Sequence, residues 1–311
     1  MVKAVFVGHV SIDNIRSQQG ERTQPGGAAL YASMAAKALG ASPLLITAIG
    51  YDYPYKEILY SNFPSQGIKL VNLPSTRFEI EYDEAWKAHY RKVEIGAGAK
   101  ITVADVVKPH VLKSSLLHVA PMNPPKVLKI VKGLKEKASS LKVSINTCTH
   151  YLENNARNRG LFLKAAEEAD VTIVSDQELR LLTGIEAITL AMRKVKAKTL
   201  VVTLGEVGAL IKEGDKAQLT PALSALVKKP VDVTGAGDVW CGAFLTAYAK
   251  TNDLHKATTA ASILSAVKCM GWNFERIAEL RFKDVDEVLD LAASFRESYY
   301  RITRWLKNSQ A

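Results

Sequence analysis

The stretch Val231-Asp232-Val233-Thr234-Gly235-Ala236-Gly237-Asp238 concentrates residue types that can do chemistry. It runs into Val239-Trp240-Cys241-Gly242-Ala243-Phe244-Leu245, an apolar, small-residue run that reads as a buried helix. Glycine lacks a Cβ and reaches backbone angles closed to other residues, so a Gly-Ala-Gly turn lets successive N–H groups point into open space. At a helix N-terminus those unpaired donors and the positive end of the dipole make an anion site. Asp238 is the odd member, because a carboxylate repels a bound phosphate. Its presence makes sense if it takes the proton from a hydroxyl that attacks a phosphoryl group held by the turn. A base, an anion hole and in-line geometry are most of what phosphoryl transfer needs. The same residues also suit an ordinary helix start, with aspartate as a favourable N-terminal charge.

The elements around this stretch alternate. Val2–Val10 is a nearly continuous apolar run, as expected of a strand buried on both faces. Asp13 follows at the sheet edge, where α/β proteins bind ligands. Residues 16–25 read as a loop or edge strand. Gly26-Gly27 then opens a helix that ends at Gly40, and its bare backbone admits a ligand closely. Further strands are expected at Pro43–Ile49, Val71–Leu73, Leu116–Ala120, Lys142–Asn146, Val171–Val174 and Thr199–Thr203. Helices are expected at Tyr55–Phe63, Lys126–Leu141, Leu161–Ala169, Leu254–Cys269 and over 282–307. Arg77–Tyr82 alternates, with apolar residues at 78, 80 and 82, and Lys87–Ile95 continues as the second strand of a hairpin. Ser175 stands three residues before Glu178, the spacing of a capping box. Strands alternating with helices predict a doubly wound, mainly parallel α/β sheet flanked by helices, as one domain over residues 1–311.

Composition narrows the partners. Hydrophobic content of 48% and charged content of 23% over 311 residues belong to a globular chain able to bury a large core. The net charge of +10 is spread over expected surface helices and is not interleaved with aromatics, so it reads as a solvated face of a protein handling anionic ligands rather than a nucleic-acid surface. No run approaches a membrane span or resembles a signal peptide. Cys148, Cys241 and Cys269 are odd in number and far apart, without metal-ligand spacing, so a cytoplasmic location is expected. There is no G-x-x-x-x-G-K-[ST], no dinucleotide fingerprint after a strand and no H-E-x-x-H.

The sequence DVTGAGD followed by a small-residue helix resembles the C-terminal signature of the ribokinase-like (PfkB) carbohydrate and nucleoside kinases, usually D-T-x-G-A-G-D. Val233 replaces the usual threonine. The resemblance implies that Asp238 is the catalytic base and that Gly235, Ala236 and Gly237 form the anion hole. It places Asp13 and Gly26-Gly27 on substrate hydroxyls, and a carboxylate can accept from two vicinal hydroxyls at once. Gly26-Gly27 is similar to the family's G-G-x-x-x-N-x-A, with Tyr31 where the hydroxyl-binding asparagine usually stands. Compact members related to inositol kinases also lack that asparagine, which leans toward a polyol. Asn146 is the one match to a D-x-N-x-R segment and becomes a candidate for contact with substrate or phosphate. Ser175 and Glu178 resemble N-x-x-E, which implies Glu178 near Mg²⁺ through water and Ser175 near the nucleotide. The segment from Thr203 through Gly205 to Gly208 resembles T-L-G-x-x-G-A beside ATP. Excursions near residues 11–25 and 76–96 would form a small β lid over the sugar, with Phe78, Tyr82 and Trp86 as cover or as a homodimer contact.

The resemblance implies an ATP-dependent kinase for a small sugar or polyol, such as a ribose-type sugar or myo-inositol, with Mg²⁺ and in some members a monovalent cation. A nucleoside kinase on the same scaffold is the alternative, and a nucleobase would need aromatic stacking from the lid. A non-catalytic sugar- or nucleotide-binding regulator is the third reading, against which the intact Gly235-Ala236-Gly237-Asp238 argues.

Overall fold

The computed structural model describes residues 2–214, 216–222, 229–291 and 293. The apolar run at the N-terminus divides between two sheets. Its first part is β1 (Ala4–Val7), the centre of the large sheet. Gly8 then passes so close to Ala120 that a Cβ would stand 2.9 Å from the alanine methyl, and the chain leaves the sheet. It continues as an antiparallel hairpin, β2 (Ser11–Ser17) and β3 (Gly20–Gly26), where a loop or edge strand was expected. Helix α1 (Ala28–Ala38) follows, then β4 (Leu44–Gly50), α2 (Lys56–Asn62) and β5 (Ile68–Val71). The last strand was expected three residues later. It starts early because Gly67 lies against the Leu45 carbonyl, which brings Ile68 into register with Thr47.

A second hairpin, β6 (Thr76–Tyr82) and β7 (Ala88–Glu94), joins the first through parallel pairing of β2 with β6. The four strands make a separate sheet in the order β3-β2-β6-β7. Asp52 anchors its start by accepting from Ser75 N at 2.7 Å and pairing with Arg77 at 2.7 Å. Short helices α3 (Val103–Val106) and α4 (Pro109–Leu112) lead to β8 (Leu116–Val119), α5 (Pro124–Lys137) and β9 (Lys142–Asn146). Next come α6 (Thr149–Leu152), α7 (Ala156–Glu168), β10 (Val171–Ser175), α8 (Asp176–Thr183), α9 (Ile188–Lys194) and β11 (Thr199–Thr203). Helix α7 begins five residues before its expected start because the Asn155 side chain caps Asn158 N at 3.0 Å. Strands β12 (Gly208–Glu213) and β13 (Lys216–Pro221) close the sheet antiparallel. Helices α10 (Ala236–Thr251), α11 (Leu254–Cys269) and α12 (Glu275–Ala278) follow. Residues 286–291 are helical, and the rest of the helix expected over 282–307 lies outside the described residues.

The large sheet has nine strands in the order β13-β12-β11-β10-β9-β8-β1-β4-β5, parallel from β11 to β5. Both faces are covered, as such sheets require. Ala4 and Phe6 of β1 pack with α1, α10 and α11 on one side. Val5 and Val7 pack with α5, α7 and α8 on the other. Helix α10 is small and apolar because it crosses α1 closely: a Cβ at Gly242 would stand 2.1 Å from the Ala32 carbonyl oxygen. Among the described residues no helix is long and apolar enough to cross a membrane.

Candidate active site

The carboxyl ends of β8, β9, β10 and β11 open onto one cavity of about 260 Å³. This is the edge where parallel α/β sheets bind ligands. Pro121, Asn146, Ser175 and Thr203 follow or end these four strands on its wall. The N-terminus of α10 forms another side, and Phe78, Ile80 and Tyr82 of β6 reach in from the small sheet. Asp13, Gly27, Glu178 and residues 235–238 all line the same space.

The turn before α10 has the shape its glycines permit. Gly235 caps the helix at φ 74°, in the left-handed region, and a Cβ there would stand 2.5 Å from the Tyr31 ring. Gly237 differs: no protein atom lies within 4 Å of where its Cβ would be. Its glycine leaves room for something other than protein. Ala236 N donates to Val233 O at 3.0 Å, so that amide belongs to the turn itself. The N–H groups of Gly235, Gly237 and Asp238 engage no acceptor among the described residues and are free to meet an anion.

Three carboxyls face this cavity, each pushed up to about 7, chiefly by burial. For Asp238 a hydrogen bond from Asn146 works the other way. For Asp13 the Ser11 hydroxyl, donating at 2.6 Å, opposes burial, and the charges of Asp232 and Asp238 add to it. A Cβ at Gly26 would fall 1.8 Å from Asp13 Oδ2, so Gly26 is glycine to let that carboxylate lie against the backbone. Gly26 itself does not line the cavity. Gly27, at φ 103°, caps α1 and does.

Glu178 sits in a complete capping box: Ser175 N donates to its Oε2 at 2.7 Å, and Glu178 N donates to Ser175 Oγ at 3.2 Å. Ser175 thus has a structural task, while the remaining carboxylate oxygen of Glu178 is spare. No group of three or more His, Cys, Asp or Glu side chains that could cage a metal exists among the described residues. A single carboxylate beside an anion site fits Mg²⁺ carried in by nucleotide phosphates and water. Thr203 reaches the wall, but Gly205 and Gly208 do not. Gly208 is glycine because it packs on β13, where a Cβ would stand 2.1 Å from the Thr220 carbonyl oxygen.

Of the remaining wall residues, Tyr31 and Phe78 stood out in the sequence, while His9, Tyr90, His150 and Tyr151 carried no signal there. Tyr31 is buried, and Gln24 Nε2 donates to its hydroxyl at 3.3 Å. His9 is buried beside Tyr151, 3.4 Å from its hydroxyl, and is held neutral, its pKa lowered by burial to about 4. The rings of Phe78, Tyr90, His150 and Tyr151 follow one another at centroid distances of 6.1, 5.9 and 5.5 Å, forming an aromatic wall. Trp86 touches Tyr82 but not the cavity.

Comparison with known proteins agrees with this geometry. Residues 1–270 match the model of the pfkB family carbohydrate kinases. A cytidine kinase of Thermococcus kodakarensis is 29% identical over 262 residues, covering 82% of this chain and 92% of that one. A nucleoside kinase of Methanocaldococcus jannaschii is 25% identical over 296 residues, covering 86% and 92%. The fold superposes on Burkholderia thailandensis nucleoside kinase in complex with inosine, with a TM-score of 0.75, 18% identity and coverage of 93% and 98%. It likewise superposes on ribokinase from Giardia lamblia, with a TM-score of 0.76, 19% identity and coverage of 92% and 99%. The family match over residues 1–270, with relatives and solved structures that share the fold, makes the assignment: this chain belongs to the pfkB family and is a sugar or nucleoside kinase.

Proposed function

We propose that the acceptor is a nucleoside and that the donor is MgATP. The observation that carries this reading is the aromatic wall of Phe78, Tyr90, His150 and Tyr151, which lines the same cavity as the turn at residues 235–238. A flat base stacks on such rings, while a bare sugar or polyol would leave them uncovered. The names of the two relatives, cytidine kinase and nucleoside kinase, support the same choice over the polyol to which Tyr31 leaned.

Asp13 and the backbone at Gly27 then hold the vicinal hydroxyls of the ribose, and the primary hydroxyl faces Asp238. Asp238 takes its proton as the oxygen attacks the γ-phosphorus and the bond from that phosphorus to the bridging oxygen of ADP breaks, so that ADP leaves. The amides of Gly235, Gly237 and Asp238 receive the charge that develops on the transferred group. Asn146, at the end of β9 on the cavity wall, would contact the substrate or the transferred phosphoryl group. When bound, Mg²⁺ neutralises phosphate charge, and Glu178 is the residue placed to hold one of its waters. The nucleotide lies toward Ser175 and Thr203. The small sheet closes over the acceptor and keeps water from competing with it. Its outer face would serve a homodimer, which light scattering showing a monomer at assay concentration would exclude. Three free thiols suit a cytoplasmic enzyme.

A coupled ADP-release assay with MgATP tests the reading. Cytidine, adenosine or inosine should be turned over with a kcat/KM at least about tenfold above ribose, fructose and myo-inositol, the size expected from one stacked base. Preference for a free sugar would overturn it.

A further inference from the structure

The side chains of Lys268 on α11 and Asp232 before the turn are fully buried, at 0% and 1% exposure, and pair at 3.0 Å. Neither lines the cavity. Lys268 Nζ also donates to the Asp232 carbonyl oxygen at 2.5 Å. Asp232 Oδ1 accepts from Thr234 N at 2.8 Å, and Oδ2 accepts from Gln24 Nε2 at 3.2 Å and Asn273 N at 3.0 Å. With the ammonium that makes four donors on one carboxylate, which has about four lone-pair sites. Burial opposes ionisation of Asp232, but Lys268 and the Thr234 donors outweigh it and hold its pKa below the ordinary carboxylate value.

The same end of α11 grips the turn twice more. Ser265 Oγ donates to Ala236 O at 2.9 Å, and Val231 N donates to Cys269 O at 2.8 Å. Lys268 Nζ lies 5.7 Å from the centre of the Tyr31 ring, and that ring is the surface against which Gly235 packs. The cation, the ring and the turn thus form one stack. A buried ion pair is seldom a gain in stability over an apolar pair of the same volume, so its place behind a turn that binds anions calls for another use. A dissolved monovalent cation serving this turn would need oxygen acceptors behind it. The carboxylate and the carbonyl of Asp232 are already taken by Lys268, so these residues do not fit such an ion.

We propose that Lys268 is the built-in cation of the transfer site, a positioning residue that locks residues 232–238 in their anion-binding shape and makes a dissolved monovalent cation unnecessary. The inference rests on the kinase activity and not on the choice of acceptor. Turnover with whichever acceptor is best is measured in potassium, sodium and tetramethylammonium chloride at equal ionic strength. Melting temperature is followed in the same salts without substrates. The rates should agree within about twofold. The melting temperatures should coincide, because an ion bound to the native state would raise them. Activation by potassium of about tenfold, or a rise in melting temperature confined to potassium, would overturn the proposal.

Lys268→Met should lower kcat about 10²-fold, with little change in the acceptor KM. The double variant Lys268→Met/Asp232→Asn removes both charges. It should regain melting temperature but not kcat, whereas recovery of both would mean that the pair is only structural. If the variants fail to fold, the salt series on the unmodified enzyme decides alone.

Discussion

Asp238→Asn removes the proton acceptor and, with it, a carboxylate whose charge the native cavity disfavours. Burial pushes this group from 3.8 to about 7. Between those values the unfolded chain has released a proton that the native state keeps. The stability attached to the group is therefore fully present below about pH 4, falls as pH rises, and is lost above about pH 7. A gap of about three pH units corresponds to about 4 kcal/mol as an upper bound. Asp238 is only half-buried and keeps an open side on the cavity, so water reduces the effect to about 1–2 kcal/mol. Asparagine has the same shape and does not ionise. The variant should melt about 2–5 °C above the unmodified protein near pH 8 and show a smaller difference near pH 5. Its kcat should fall at least about 10²-fold, with ATP binding little changed by calorimetry. Differential scanning fluorimetry across pH and the coupled ADP-release assay read the two effects on one preparation. A variant that keeps its rate would remove Asp238 as the base, and a melting difference that does not grow with pH would refute the account of its environment.

The two turn glycines should separate by mechanism. Gly235→Ala should destabilise the fold by more than about 1 kcal/mol through its positive φ and the Tyr31 ring, while Gly237→Ala should fold normally yet lose most of its turnover, as chromatography and kinetics on both would reveal. Glu178→Gln should raise the Mg²⁺ concentration for half-maximal rate about tenfold or more, and an unchanged magnesium titration would detach Glu178 from the metal. Tyr90→Ala should raise KM for a nucleoside by about 1–3 kcal/mol in binding terms, leaving kcat near its original value. An equal loss with ribose as acceptor would mean that Tyr90 does not meet a base.

Local patterns carried most of the elements. Lys142–Asn146, Thr199–Thr203 and Leu254–Cys269 occur with the bounds their apolar runs and punctuation imply. The Ser175–Glu178 capping box needed only a three-residue spacing to be read. The start of the transfer helix and Asp238 in its first turn were legible for the same reason. What local patterns did not carry depended on distant partners. Packing of β12 on β13 accounts for Gly208, while Gly205 faces open space, and neither lines the cavity. The aromatic wall joins β6 and β7 to α6, elements about 60 residues apart, and no local period announces it. Lys268 sits in a run of small residues that reads as an ordinary buried helix, and only the return of α11 behind the turn reveals its partner 36 residues earlier. Tyr31 looked like the loss of a substrate contact, whereas in the fold its ring is the floor under Gly235.

The most direct measurement is a crystal structure with a nucleoside and a non-hydrolysable MgATP analogue. The account predicts the ribose hydroxyls on Asp13, the primary hydroxyl within hydrogen-bond reach of Asp238, the base against Tyr90 and His150, and the γ-phosphate on the amides of Gly235, Gly237 and Asp238. A nucleoside bound with its base away from those rings, or a γ-phosphate off the turn, would contradict it.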